Sequence, residues 1–272
     1  MEYKTEQEFL KSYNPDEYDR MAVVNDILLL SISNVEKENY RKLDEKCFSI
    51  LLVKRDTFPF KDKWCLPGGF LNVKLGLEEN ARDILARETN LHNIFLEQLY
   101  TFGAVNRDPR MRVVSTAYMA LIDKNQLKEQ LNKNAEWFNI KMQETGDLIT
   151  VQLNSSKQDL NFVVQKILKE STTDKYEYKI VENDYLAFDH PEIIIAGIDR
   201  FRNKILYTDI VFNIMPPIFT LSELQQVFEI ALNKKLLVTA FRRIVADKVV
   251  KTKQLQTGGG HRPSVMYKYE KS

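Results

Sequence analysis

A tight turn followed by an amphipathic helix constrains the fold of this chain more than any other feature. The turn is Pro67-Gly68-Gly69, and apolar residues with helical spacing follow it from position 77 to position 91. Apolar, β-branched runs at residues 22–33, 47–54 and 111–122 predict strands on both sides of this segment. Strands surrounding one central helix predict a layered α/β (α+β) domain.

Cysteine usage and the absence of long apolar runs indicate where in the cell the protein is expected. The two cysteines, Cys47 and Cys65, stand far apart, which argues against a disulfide framework or a zinc site. The polar N-terminus lacks the apolar core of a signal peptide. No run approaches the ~18 apolar residues that a membrane span needs. We therefore expect a cytoplasmic protein without a membrane partner.

The charge distribution predicts two units with different partners. Pro216-Pro217 cannot continue a helix and marks a boundary. From residue 216 onward there are 10 Lys and Arg against 4 Asp and Glu, a net charge of +6, whereas the rest carries 29 against 34, a net of −5. The predicted units are an arm at 1–20, a main domain at 21–212 and a basic module at 213–272. The basic module is expected to bind a polyanion.

An insertion is predicted within the main domain, at about residues 141–183. Residues 148–153 and 176–181 each alternate in character, and we expect them to pair as an antiparallel hairpin or small subsheet. After the insertion, Asp189 and Glu192 have the spacing of a capping box at the start of an apolar helix.

The turn and helix resemble the opening of a Nudix box, the signature of hydrolases that cleave nucleoside diphosphates linked to another group. The family positions that match are Gly69, Leu85, Glu88 and Leu91. Leu75, Ile84 and Arg87 stand where the family has glutamates, several of which hold magnesium. A guanidinium among the ligands would repel the cation, so we expect ordinary hydrolysis to be absent. In the alternative, a hydrolase that uses Mg or Mn, Glu88 would be the metal ligand and catalytic residue.

A ligand pocket is predicted even without a metal. Arg107, Arg110 and Arg112 surround a Pro-containing turn, and guanidinium groups suit phosphate. The alternative is a surface hairpin whose arginines pair with Asp108 and solvent. The candidate ligand-binding residues are Phe70, Arg107, Asp108, Arg110, Arg112 and His190. For His190, at a helix start, a structural role is favoured over a catalytic one.

The basic module has the pattern of a winged helix-turn-helix. Thr220 and Glu223 form a capping box that opens one helix, and a second helix is expected from Thr239. Two strand-like runs around a Gly-rich tip at 257–263 predict a wing. The candidate DNA-binding residues are Lys234, Arg242, Arg243, Lys248, His261 and Arg262. A basic protein-interaction or dimerisation module is the alternative.

These features together resemble the Nudix-related transcriptional regulators of the NrtR type. The resemblance rests on the degenerate box, on residues 186–190 and 219–225, and on Gly260-His261-Arg262-Pro263. It implies a Nudix α/β/α sandwich with a small insertion, followed by a winged helix, working as a homodimer on operator DNA. It also implies an effector such as ADP-ribose or a related NAD metabolite, some relatives sensing sugars, and no cofactor for DNA binding.

Overall fold

The central feature of the fold is a large mixed sheet. A computed structural model of the protein describes residues 5–35, 45–89, 92, 94–126, 131–173, 175–256 and 263–271. The strands of the sheet are β1 (Ala22–Val35), β2 (Glu45–Lys54), β3 (Trp64–Cys65), β4 (Gly68–Phe70), β5 (Phe95–Phe102), β6 (Val113–Leu121), β7 (Ala135–Thr145), β8 (Leu148–Asn154), β9 (Asp159–Glu170) and β10 (Lys175–Asn183). The helices are α1 (Glu6–Ser12), α2 (Leu77–Thr89), α3 (His190–Lys204), α4 (Leu221–Leu232) and α5 (Val238–Val245).

The strand order places β1 inside the sheet, third from the β5 edge. Eight strands lie in the order β10-β9-β8-β7-β2-β1-β6-β5, with β3 paired to β2 and β4 paired to β1. β1 runs parallel to β6 and antiparallel to β2. The strands expected at 22–33, 47–54 and 111–122 are confirmed as β1, β2 and β6. A polar side chain on β1 is therefore placed in the interior of the domain.

Two helices cover the two faces of this sheet. Alternate residues of a strand point to opposite faces, so Ile27 and Leu29 pack under α2 while Leu28 and Leu30 pack under α3. At Gly197 of α3 a methyl group would lie 2.2 Å from Leu28 Cδ2, which explains the glycine there. The expected α/β/α sandwich is confirmed.

The inserted strands extend the main sheet, and they do so in a different pairing from the expected one. Residues 148–153 and 176–181 belong to β8 and β10, which do not pair with each other. β9 lies between them and pairs antiparallel with both. Its side chains at Leu160, Phe162 and Val164 are buried in alternation, so β9 belongs to the core of the sheet. The expected hairpin was wrong because it missed this strand, whereas the alternative, an antiparallel subsheet, is present as β8, β9 and β10 at one end of the main sheet.

The C-terminal residues form a winged helix-turn-helix. β11 (Phe219–Thr220), β12 (Val249–Gln256) and β13 (Ser264–Tyr269) form a three-stranded sheet in the order β11-β13-β12. The capping box of Thr220 and Glu223 is confirmed at the start of α4, and Asn233 ends that helix in the left-handed conformation. The wing tip at 257–262, with His261 and Arg262, lies outside the described residues, as do the box positions Asn90 and Leu91.

The winged helix packs directly on the main domain. Buried residues of α3 and α4, among them Phe201 and Phe228, belong to one continuous apolar core. Asp209, which follows α3, accepts a hydrogen bond from Tyr269 of the wing. In contrast, α1 buries no residue. Within the described parts of the chain, none of the helices has both the length and the apolarity that crossing a bilayer requires.

Candidate functional site

A cavity of about 190 Å³ lies beside β1, between β3, β4 and the first residues of α3. Its lining is polar at the base and aromatic at the rim. The residues that line it are Val24, Asp26, Arg55, Cys65, Leu66, Gly68, Gly69, Phe70, Arg107, Asp108, Arg110, Phe188 and His190. Five of the six predicted ligand-binding residues therefore meet at one place.

A buried guanidinium between two carboxylates forms the base of the cavity. Arg107 donates from Nε and Nη2 to Asp189, at 2.8 and 2.7 Å, and from Nη2 to Asp26 Oδ2 at 3.1 Å. The Arg107 side chain is only 2% exposed. Burial raises the pKa of Asp26, but His190, Arg107 and Ser115 outweigh it and hold that pKa far below its usual range. Asp26 is thus a carboxylate in the folded protein.

His190 is held by hydrogen bonding from the turn. Its Nδ1 accepts a hydrogen bond from the Leu66 amide at 2.9 Å, and its Nε2 lies 3.5 Å from Asp26 Oδ1. Both contacts orient the ring within the network. The preference for a structural role over a catalytic one is consistent with these contacts.

The capping box expected at Asp189 and Glu192 is wrong. Asp189 precedes α3 but makes no side-chain capping bond, because Arg107 occupies both of its carboxylate oxygens. Glu192 instead accepts a hydrogen bond from the Ile180 amide of β10, at 3.4 Å. The start of α3 is therefore fixed by an ion pair at the cavity and not by a cap of its own.

The rim combines aromatic faces with two further arginines. Arg110 lies 5.1 Å from the ring centroid of Phe70 and 6.0 Å from that of Phe188, and Arg55 lies 5.0 Å from Phe188. Phe188 adopts a left-handed backbone conformation, with φ of 55°, which is costly for a bulky residue. Arg110 also pairs with Asp108, at 2.7 Å, as the alternative reading of this turn predicted.

Two charged residues of the cavity lining were missed by sequence reasoning, and one predicted residue lies elsewhere. Asp26 is a single charge within an apolar strand, which was the available signal for it. Arg55 directly follows β2 and donates to the Pro59 carbonyl at 2.8 Å. Arg112 does not line the cavity; it is half-buried and donates to the Ala104 carbonyl at 2.9 Å.

Helix α2, which follows the Gly68-Gly69 turn, does not present the donor set that magnesium needs. A methyl group on Gly69 would lie 3.7 Å from Ile84 Cδ1 and 3.8 Å from Arg87 Nη2, so an apolar group and a cation face the turn. Glu88 accepts a hydrogen bond from Asn132 at 3.1 Å. The described residues contain no group of three or more His, Cys, Asp or Glu side chains suited to a metal ion. The residues present therefore do not fit the family's magnesium.

The cavity also lacks an activated nucleophile among its lining residues. Burial raises the pKa of the Cys65 thiol to about 12, and its Sγ donates to the Val53 carbonyl at 3.3 Å. A protonated, bonded thiol is a poor nucleophile. The arrangement suits binding of a ligand with anionic and aromatic parts.

The winged helix exposes part of its predicted DNA-binding set. Arg242 and Arg243 are exposed on α5, and Lys234 is exposed in the turn before it. Arg242 and Lys251 line a shared crevice between α5 and the wing. Lys248 points the other way, with Nζ 2.9 Å from Asp209 Oδ1 at the junction with the main domain.

Comparison with known proteins supports both halves of this description. Residues 211–269 match the family of the NrtR DNA-binding winged helix domain. The chain is 28% identical to the ADPR responsive transcriptional repressor NtrR of Acinetobacter baylyi, over 98% of this chain and 89% of that protein.

Two solved structures share the whole architecture. One is Shewanella oneidensis NrtR complexed with a 27mer DNA, at 26% identity and a TM-score of 0.65, covering 91% of this chain and 93% of that one. The other is a MutT/nudix family protein from Enterococcus faecalis, at 26% identity and a TM-score of 0.70, covering 98% and 94%. The chain thus combines a Nudix-like fold with a segment that matches the NrtR winged helix domain, and the predicted resemblance to the NrtR-type regulators is confirmed.

Proposed function

We propose that the protein is a transcriptional regulator that binds DNA through its winged helix and senses a small ligand in the Nudix-like cavity. The match of residues 211–269 to the NrtR DNA-binding domain carries this proposal. The exposed Arg242 and Arg243 on α5 support it, since a recognition helix presents such groups to the major groove. Lys234 would neutralise phosphate. DNA binding would require no metal.

The ligand we propose is ADP-ribose or a related nucleotide sugar. A relative's name includes responsiveness to ADPR, and the cavity offers what a diphosphate with a ring needs. Arg110 and Arg55 supply charge, and Phe70 and Phe188 supply aromatic faces.

The size of the cavity indicates how such a ligand would lie. At about 190 Å³ it is smaller than most ligand sites, which span roughly 300–1,000 Å³. A neighbouring groove of about 530 Å³ shares Arg55, Cys65, Leu66 and Gly68 with it. We place one end of the ligand in the cavity and the remainder in this groove.

We further propose that the protein acts as a homodimer on a two-fold symmetric operator, as the resemblance implies. Light scattering of the free protein and of its DNA complex tests this, with two chains per duplex as the expected ratio. One chain per duplex would contradict it.

A DNA-binding assay tests the function itself. The protein selects duplexes from a random-sequence pool, and the affinity for the selected DNA is measured with and without ADP-ribose. We expect salt-sensitive binding and a shift in affinity of at least about fivefold, the usual scale of coupling. Arg242→Ala with Arg243→Ala should weaken DNA binding by at least about tenfold. Arg112→Ala, which removes a half-buried arginine that lines neither the cavity nor the crevice at α5, is the matched control. Failure to enrich any duplex would contradict the proposal.

A further inference from the structure

α3 is the element that joins the cavity to the DNA-binding unit. Its first residue, His190, lines the cavity, and its last turn lies against the winged helix. The helix is buried along its length, with Ile194, Ile198 and Phe201 in the core. A displacement at one end of such a packed helix is carried to the other, because close-packed elements move as units.

The cavity end of α3 is held by Arg107, whose guanidinium lies at the base of the cavity. Both oxygens of Asp189 are taken by Arg107, at 2.7 and 2.8 Å, and Arg107 lines the cavity. Anionic groups compete for a guanidinium, since each forms the same charge-assisted hydrogen bonds. A ligand phosphate that engages Arg107 therefore weakens the hold on Asp189. Asp189 has no capping bond that would replace it.

The far end of α3 is tied to the winged helix by Arg202. Its Nε donates to the Ala231 carbonyl in the last turn of α4, at 2.8 Å. Its Nη1 lies 3.0 Å from Glu144 of β7 and 3.4 Å from Asp199 one turn earlier on α3. The carbonyls of a last helical turn have no partner within their own helix. Arg202 thus adds a directional polar link between α3 and α4 to the apolar packing of the two helices.

Strand β2 is an alternative connection between the cavity and α4, but it is less free to move than α3. β2 also runs from the cavity, where Arg55 follows it, to α4, where Lys46 lies 3.4 Å from Glu223. However, β2 is hydrogen-bonded to β1 on one side and β7 on the other. α3 is held on the sheet by side-chain packing, and packed helices shift by small sliding movements.

We propose that α3 transmits ligand occupancy to the winged helix, with Arg202 as the positioning residue that couples it to α4. The inference rests on the proposed function and names how the ligand site is connected to DNA binding. An anionic group on Arg107 releases Asp189, the start of α3 shifts, and Arg202 carries the shift to α4.

The test compares two arginines on the same helix. Arg200 is the matched control, because it also bonds a backbone carbonyl, that of Leu99 at 2.9 Å, and a glutamate, Glu97, but on β5 rather than α4. The quantity measured is the ratio of DNA affinities with and without saturating ADP-ribose. In Arg202→Ala this ratio should fall to within about twofold of one, while the affinities for ADP-ribose and for DNA alone stay within about threefold. Arg200→Ala should keep the wild-type ratio.

Each outcome decides the inference. An unchanged ratio in Arg202→Ala overturns it, and so does an equal loss in both variants, which would indicate general loosening of the helix. If the wild-type protein binds DNA without responding to ADP-ribose, the proposed function itself is contradicted, and the inference with it. Arg202→Lys keeps a charge beside Glu144 and Asp199 but loses the planar donor group. It should show a reduced ratio, and it provides the test should Arg202→Ala not fold.

Discussion

Helices α2 and α3 cover opposite faces of one sheet, yet they offer a ligand opposite chemistry. The side of α2 that faces the Gly68-Gly69 turn presents Ile84 and Arg87, where a metal-dependent relative would have carboxylates. The start of α3 presents Asp189 and His190, which complete a buried polar network. The fold's binding chemistry and its metal chemistry are therefore built on separate helices, so that one can be kept while the other is absent.

Among single substitutions, we expect removal of Arg107, at the start of α3, to cost the most stability. Arg107→Ala leaves the carboxylates of Asp26 and Asp189 without their shared cation in a buried site. Losing one partner of a buried ion pair costs about 3–5 kcal/mol, and we expect a loss of that size in the free energy of unfolding by urea at pH 7.

The control for this prediction comes from the same loop. Arg112→Ala removes a half-buried guanidinium with one hydrogen bond, to the Ala104 carbonyl, and should cost about 1 kcal/mol. A loss below about 1 kcal/mol in Arg107→Ala would mean that water or protonation relieves the two carboxylates, and that Arg107 is not what holds the start of α3.

The rim of the cavity should determine ligand affinity. Arg110 is half exposed and lies over Phe70 and Phe188, where a ligand phosphate would compete with Asp108 for its guanidinium. Loss of one charge-assisted contact should weaken ADP-ribose binding by about 10–30-fold in Arg110→Ala, as measured by calorimetry. Equal weakening in Arg112→Ala would show that ligand affinity depends on the general charge of the loop, not on the cavity.

The sequence predicts local features of this molecule well and distant pairings poorly. β1, β2, β6 and the capped α4 follow from short-range periodicity and from residues three positions apart. The network of Asp26, Arg107 and Asp189 joins residues 81 and 82 positions apart, which no local pattern encodes. For the same reason Asp189 fitted a capping box: its spacing to Glu192 was visible, and its competing partner was not.

Glu192, in the first turn of α3, should give the protein a measurable pH dependence. Burial, with the nearby Asp189, raises its pKa from an ordinary 4.5 to about 7. The raised pKa stabilises the folded state fully below pH 4.5, and this contribution is lost as the pH rises through about 7. Because the side chain is partly solvated, we expect a change of about 1 kcal/mol or less between pH 5 and pH 8.

The variant that isolates this effect is Glu192→Gln, which cannot ionise. Its free energy of unfolding in urea should vary less between pH 5 and pH 8 than that of the wild type. Asp26 does not contribute in this range, because its lowered pKa places its titration at more acidic pH. An equal decrease in both proteins would assign the pH dependence to another group.

For α2, we expect metal ions to have almost no effect on stability or activity. By mass action, a site with a dissociation constant of 1 mM would add about 1 kcal/mol of stability at 5 mM Mg²⁺, a shift of roughly 2–4 °C in Tm. Since Ile84 and Arg87 occupy the face where the ligands would converge, we expect a shift below about 1 °C, and no AMP from ADP-ribose with Mg²⁺ or Mn²⁺. Glu88→Gln should behave identically. Turnover that disappears in Glu88→Gln would show that α2 still assembles a catalytic metal, and that the two helices are not divided as proposed.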